Sequence, residues 1–236
     1  MKPDDQSTFP GLRRWLGHDH RLRSIGPVFE IALLACLFVA TQGDGRLPPD
    51  PGSPRDERID ISRAVQREEI TEDHSIVVSM VRRHRPTVDD DWCRTLADAI
   101  YDESIAANID PLLVASIVAV ESSFQSRVIS NMGAVGLMQL RPFVAEAVAD
   151  RISVEWKGAA TLHEPQINVR LGVEYYRALL VRFDGDRHVA LTAYNHGPTR
   201  VSGWLRAGTY DGSEYAKRVL TTYEGARRVQ RRSVEG

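Results

Sequence analysis

A mainly α-helical fold is predicted for this chain by three observations. Beyond Val88, apolar residues recur at three-and-four spacing, as in Trp92, Leu96, Ala99, Ile100 and Ile105, the stripe of an amphipathic helix. No segment alternates apolar and polar residues for long enough to make a good strand. The periodic stretches are also punctuated by helix start and stop signals, at Asp110-Pro111, Pro142, Asp184-Gly185 and Gly197-Pro198.

Composition narrows the function classes. The 236 residues suffice for one sizeable domain with extensions, or two small ones. A hydrophobic content of 42% with 26% charged residues excludes wholesale disorder. The net charge of −2 argues against a dedicated nucleic-acid binder. Residues 217–236 are nevertheless basic, with Lys217, Arg218, Arg227, Arg228, Arg231 and Arg232 against Glu224 and Glu235. Such a run is more often a solvated helix end than a docking patch. Cys36 and Cys93 are the only cysteines, too few for a disulfide framework or a multi-cysteine metal site. The seven histidines are scattered without a metal-ligand spacing, so neither a metal nor another cofactor is expected.

Residues 1–24 are basic, with Arg13, Arg14, Arg21 and Arg23, and precede an apolar segment at 25–42 that Glu30 interrupts. A positive flank before an apolar run reads as an export signal or membrane anchor, and gives the chain a membrane partner through this segment. Three devices fit: a signal cleaved near Thr41-Gln42-Gly43, an uncleaved anchor, or a lipid-modified Cys36 following Leu33-Leu34-Ala35. The last is opposed by Leu37-Phe38-Val39-Ala40, which continue the apolar run past the cysteine. Residues 43–58 hold Pro48, Pro49, Pro51 and Pro54 and read as an extended linker. Residues 59–87 are heavily charged, with helical spacing in Ile70, Val77, Val78 and Val81, and read as a helical extension ending before Pro86. Residues 88–232 then form the main domain.

Within it, Asn108-Ile109 turns the chain, Asp110 caps the next helix and Pro111 sits in its first turn. Leu112 to Val120 is apolar on every side except Ser116, the pattern of a buried central helix. Glu121 falls in its last turn. Apolar neighbours and the negative end of the helix dipole both disfavour its charged form, so its pKa is expected to rise, as a general acid requires. Taken alone, a carboxylate at a helix end is more often simply solvated.

Gly133 and Gly136 mark a loop in which backbone can approach a ligand, followed by Leu137, Met138, Gln139 and Leu140. Met138 by itself reads as core. Leu162 to Asn168 opens a helix carrying Ile167, Leu171, Leu179, Leu180 and Phe183; a short helix spans Val189 to Asn195, and a last one Tyr215 to Arg228.

From Leu96 to Tyr223 these blocks resemble, in order, the catalytic domain of the lytic transglycosylases, enzymes that cut peptidoglycan glycan strands. Glu121-Ser122 matches the family's Glu-Ser motif. Ser130, Gly133, Ala134, Gly136, Leu137, Met138 and Gln139 match its Ser-x-x-Gly-Ala-x-Gly-Leu-Met-Gln motif, and Ala193-Tyr194-Asn195 its Ala-Tyr-Asn motif. Pro165 and Asn168 match a pair read as structural, and Tyr215 with Arg218-Val219 the closing motif.

The resemblance implies a lysozyme-like helical domain with a substrate cleft, acting on peptidoglycan in the cell envelope. It implies Glu121 as the catalytic acid, Ser130, Met138, Gln139, Tyr194, Asn195 and Tyr215 as substrate-binding residues, and a hydrogen bond from Tyr194 that orients Glu121. It also implies cleavage between N-acetylmuramic acid and N-acetylglucosamine to leave a 1,6-anhydro end, with no second carboxylate; Glu146 and Asp150 look solvated. A hydrolytic muramidase and a non-catalytic wall-binding module remain open. The chain departs from the family pattern at His196, where alanine is usual, and at Phe143, where a small or hydroxyl residue is common.

Overall fold

A computed structural model describes residues 72–234. The basic N-terminal region, the signal or anchor segment with Cys36, the proline-rich linker and the first part of the charged extension lie outside the described residues. Among the described residues no helix is long and apolar enough to cross a membrane.

The described chain is mainly helical. Residues 72–84 form α1. There follow α2 (Asp90–Ala106), α3 (Pro111–Ser122), α4 (Pro142–Ile152), a 3₁₀ turn (Ala159–His163), α5 (Pro165–Arg182), α6 (Arg187–His196), α7 (Pro198–Ala207) and α8 (Glu214–Val234). Extended pairing among the described residues amounts to two isolated antiparallel bridges, Ile129 with Val135 and Val135 with Leu140. The 3₁₀ turn and α7 were not anticipated from periodicity, and α8 runs past the expected end at Arg228 to Val234.

Local chemistry sets the boundaries of α3. Asp110 Oδ1 accepts the Leu112 N–H at 2.9 Å and Pro111 opens the first turn, an arrangement that leaves few orphan donors. Every residue from Pro111 to Ala119 is buried, so the helix is apolar all round and lies inside the domain, packed most closely against α8 and also against α2. It ends abruptly. Ser123 and Phe124 both take left-handed backbone, with φ of 51° and 60°, a conformation costly for any side-chain-bearing residue. Complete burial of the Phe124 ring, with the His84 ring 5.3 Å away, offsets that cost. The chain therefore leaves α3 in a fixed direction just after Glu121.

The other helices wrap this centre: α2 lies against α5, α5 against α6, and α6 against α7 and α8. α1 joins the same core through Ile76, Val77 and Val81. It is tied to α2 by His74–Asp98 and Arg82–Asp90, both 2.7 Å, and to the far end of α8 by Gln230 and Asp73.

Candidate active site

Four segments meet around Glu121: the end of α3, the loop between α3 and α4, the end of α6 and the start of α8. The Tyr215 hydroxyl, on α8, donates to Glu121 Oε1 at 2.7 Å. Burial pushes the Glu121 carboxyl up from 4.5 to about 7, against the Tyr215 hydrogen bond and the Arg218 charge, which both favour the ionised form. Desolvation wins, and the group keeps its proton through mildly acidic pH.

Tyr194, on α6, points elsewhere. Its hydroxyl donates to the Met138 carbonyl at 2.7 Å, so the bond to the acid expected from Tyr194 is made by Tyr215 instead. The two rings lie parallel, with centroids 6.5 Å apart, and Tyr175 packs on the other at 5.3 Å. Burial, reinforced by the nearby Glu121 charge, raises both Tyr194 and Tyr215 well above the ordinary value. Both hydroxyls thus remain neutral donors. Replacing Tyr215 by phenylalanine removes a bond that favours the carboxylate, so Glu121 should titrate above its wild-type value; NMR of ¹³C-labelled glutamate through pH 5–9 checks the direction.

The loop between α3 and α4 is held from beneath by Asn168. This fully buried side chain accepts the Met138 N–H at 2.8 Å and donates to the carbonyls of Val135 and Leu162 at 3.0 and 2.9 Å. Gly136, at φ 80°, sits so close that an added Cβ would lie 2.3 Å from Asn168 Nδ2 and 2.5 Å from the Leu162 carbonyl. Ser130 Oγ accepts the N–H groups of Met132 and Ala134 at 3.3 and 3.0 Å, which folds the outer part of the loop and leaves the hydroxyl proton to give. Gln139 Nε2 donates to the carbonyls of Gly136 and Val128 at 2.9 and 3.3 Å. The Met138 side chain is fully buried, seated where Gly172 of α5 has no Cβ. It is packed into the core, so the contact with substrate expected of Met138 would need a side chain that is buried in this structure.

Two cavities, of about 770 and 740 Å³, open on either side of the acid. Glu121, Asn195 and His196 line both. Tyr215, Arg218, Trp204 and the turn from Thr209 to Ser213 line the first; Ser130, Gln139, Tyr194, Arg141, Phe143 and Arg200 are among those lining the second. The two cavities adjoin at these shared residues and together make a groove with Glu121 in its wall. Five of the six expected binding residues therefore border it: Ser130, Gln139, Tyr194, Asn195 and Tyr215.

Glu146 and Asp150 border neither cavity, whereas Asp211 and Glu214 border the first. Glu214 is bound to Lys217 at 2.7 Å. These two acids, with Trp204, Arg141 and Arg200, were not singled out from the sequence. They sit on α7, at helix starts and, for Asp211, in the turn between α7 and α8, where periodicity says nothing about which cavity a side chain borders.

Residues 98–216 match the model of the transglycosylase SLT domain. The chain belongs to this family. Its SLT domain is 34% identical over 102 residues to the soluble lytic murein transglycosylase of Salmonella typhimurium, an alignment spanning 42% of this chain and 16% of that protein. The transglycosylase of enterobacteria phage PRD1 is 37% identical over 122 residues, covering 51% of this chain and 40% of the phage protein. Among solved structures, the 70 kDa soluble lytic transglycosylase of Escherichia coli superposes with a TM-score of 0.53 at 25% identity, over 64% of this chain and 28% of that one. The chain thus spans less than half the length of these relatives. The SLT match begins within α2 and ends just inside α8, so α1 and most of α8 lie outside it.

Proposed function

We propose that this chain is a peptidoglycan lytic transglycosylase, cutting the β-1,4 bond between N-acetylmuramic acid and N-acetylglucosamine and leaving a 1,6-anhydromuramic acid end. The observation that carries this reading is a single enclosed carboxyl, held up to about 7 by burial, that lines both adjoining cavities. Relatives named as lytic murein transglycosylases support the substrate.

In the proposed sequence, Glu121 gives its proton to the glycosidic oxygen as that bond breaks. The carboxylate so formed is stabilised by the Tyr215 hydroxyl and the Arg218 guanidinium, the two groups that favour its charged form. It then takes the proton from the C6 hydroxyl of the same muramyl residue while that oxygen bonds to C1. Glu121 ends protonated, ready for the next bond, and no water is consumed. Closing a ring within one bound sugar draws on effective molarities of roughly 10⁵ M or more when the atoms are aligned. Ser130, Gln139, Tyr194 and Asn195 border the groove where the sugars would lie, and Tyr194 also fixes the loop beneath them. The setting would be the periplasmic side of the cell envelope, with residues 25–42 as signal or anchor.

Asp211 favours one rival, hydrolysis by a muramidase, because it is an exposed carboxylate bordering the same cavity as Glu121 and could activate a water. Mass spectrometry of the sugars released from purified peptidoglycan separates the two. Anhydro ends, one water lighter, are expected; reducing ends would transfer the assignment to the muramidase.

A further inference from the structure

The turn between α7 and α8 walls the first cavity through Thr209, Asp211, Gly212 and Ser213. Its own backbone does little to hold it. Among the described residues, the N–H groups of Tyr210, Asp211, Gly212 and Ser213 make no backbone hydrogen bond. Such a segment keeps one shape only if side chains grip it, and the grip comes from α6. The Tyr210 hydroxyl lies 2.7 Å from His188 Nδ1 and 3.0 Å from Thr192 Oγ1, on two residues one turn apart on a single helix face. The His188 and Tyr210 rings meet edge to face, with centroids 6.3 Å apart. The same imidazole lies against Gly212, at φ 95°, so closely that an added Cβ would come within 3.1 Å of its Cε1.

Counting hydrogens fixes the direction of each bond. Thr192 has one hydroxyl hydrogen, and it goes to the His188 carbonyl at 2.8 Å. Its oxygen therefore accepts from Tyr210. With that hydrogen spent, the Tyr210 oxygen accepts from His188, so Nδ1 is the nitrogen that carries a hydrogen. Each contact then has one donor and one acceptor, and the relay closes on the α6 backbone. One turn farther along the same α6 face stands Asn195, which lines both cavities. The gripped turn runs on into α8, where the buried Ser213 accepts the Lys217 N–H at 3.0 Å and Tyr215 reaches Glu121. We infer that His188, Thr192 and Tyr210 are positioning residues for the cleavage, fixing the 208–213 wall of the first cavity against α6 and holding the start of α8 from which Tyr215 meets the acid. None of the three lines either cavity, so they act through the turn. The inference rests on the proposed cleavage of peptidoglycan.

Tyr210→Phe keeps the ring and removes the hydroxyl on which the relay turns. On soluble glycan strands its KM should rise roughly tenfold, the scale of two lost hydrogen bonds, with a smaller fall in kcat. Mere unfolding of a share of the molecules would lower kcat and leave KM at the wild-type value. His188→Leu should lose as much. His188→Asn, whose Nδ2–H can stand where Nδ1–H stood, should recover most of the loss. Amide hydrogen exchange at Lys217 reads the start of α8 without substrate: it should quicken roughly tenfold in Tyr210→Phe and His188→Leu and return towards the wild-type rate in His188→Asn. A wild-type KM in Tyr210→Phe, or His188→Asn no better than His188→Leu, would overturn the inference while leaving the proposed cleavage standing. A wild-type chain that cuts no glycan would remove the proposed function and the positioning role with it; that case is told apart by exchange rates that still quicken in the variants.

Discussion

Glu121→Gln is expected to lose cleavage of peptidoglycan by roughly 10³-fold or more, since one group supplies both proton transfers, and at the same time to become more stable than the parent above neutral pH. The second effect follows from linkage. The folded state raises the carboxyl from 4.5 to about 7, so between those values the folded chain binds more protons than the unfolded one, and stability falls as pH rises. At about 1.4 kcal/mol per pH unit, the penalty reaches about 3 kcal/mol at pH 8 and vanishes below pH 4. Glutamine keeps an acceptor for Tyr215 and escapes the penalty. Urea melts of both proteins at pH 4, 6 and 8 should therefore coincide at the lowest pH and diverge upward. Curves that remain parallel at all three would show that the carboxyl is not held in the enclosed state described. The same proton predicts an alkaline fall in wild-type activity centred near pH 7.

Asn168→Ala should be the most damaging change outside the acid. It orphans the Met138 N–H and the Leu162 carbonyl, leaves the Val135 carbonyl with only the Leu140 N–H, and leaves a hole in a site with no exposure. Buried groups left without partners cost about 1–3 kcal/mol each, so a loss of about 4 kcal/mol is expected, a large share of the 5–15 kcal/mol typical of a domain. Gly136→Ala should cost a comparable amount for a different reason, because its new methyl strikes the Asn168 amide and the Leu162 carbonyl while φ stays positive. The double variant should lose less than the sum, since removing the amide removes one of the two clashes. Denaturant melts of the three proteins decide. Near-wild-type stability in Asn168→Ala would mean that the loop does not depend on this clamp.

Helix type, the central position of α3 and the place of Glu121 were legible in the chain because they depend on near neighbours. An apolar run with a capping aspartate and an opening proline buries itself whatever surrounds it, and its last turn necessarily carries residue 121. What could not be read was which tyrosine meets the acid. Tyr194 and Tyr215 are both large, both buried and both in motifs, and a hydrogen bond across 94 positions of sequence is set by helix packing rather than by either motif. Met138 is the converse case. The family motif suggested a ligand contact, whereas the side chain is fully buried, because Gly172 opens a seat for it in α5. The arginines bordering the groove were missed for a simpler reason: a charge at a helix start reads the same whether it faces bulk solvent or a cavity.

The left-handed turn at Ser123 and Phe124 bears on how far this protein can be trimmed. His84, which packs on the Phe124 ring, and the buried Val77, Val81, Cys93 and Leu96 all precede residue 98, while Val219 and Ala226 follow residue 216. A fragment excised at the limits of sequence similarity would bare that phenylalanine and strip both flanks from the central helix. The smallest piece able to fold by itself is accordingly larger than the piece that can be recognised, and must keep the helix at 72–84 together with the whole of the last one.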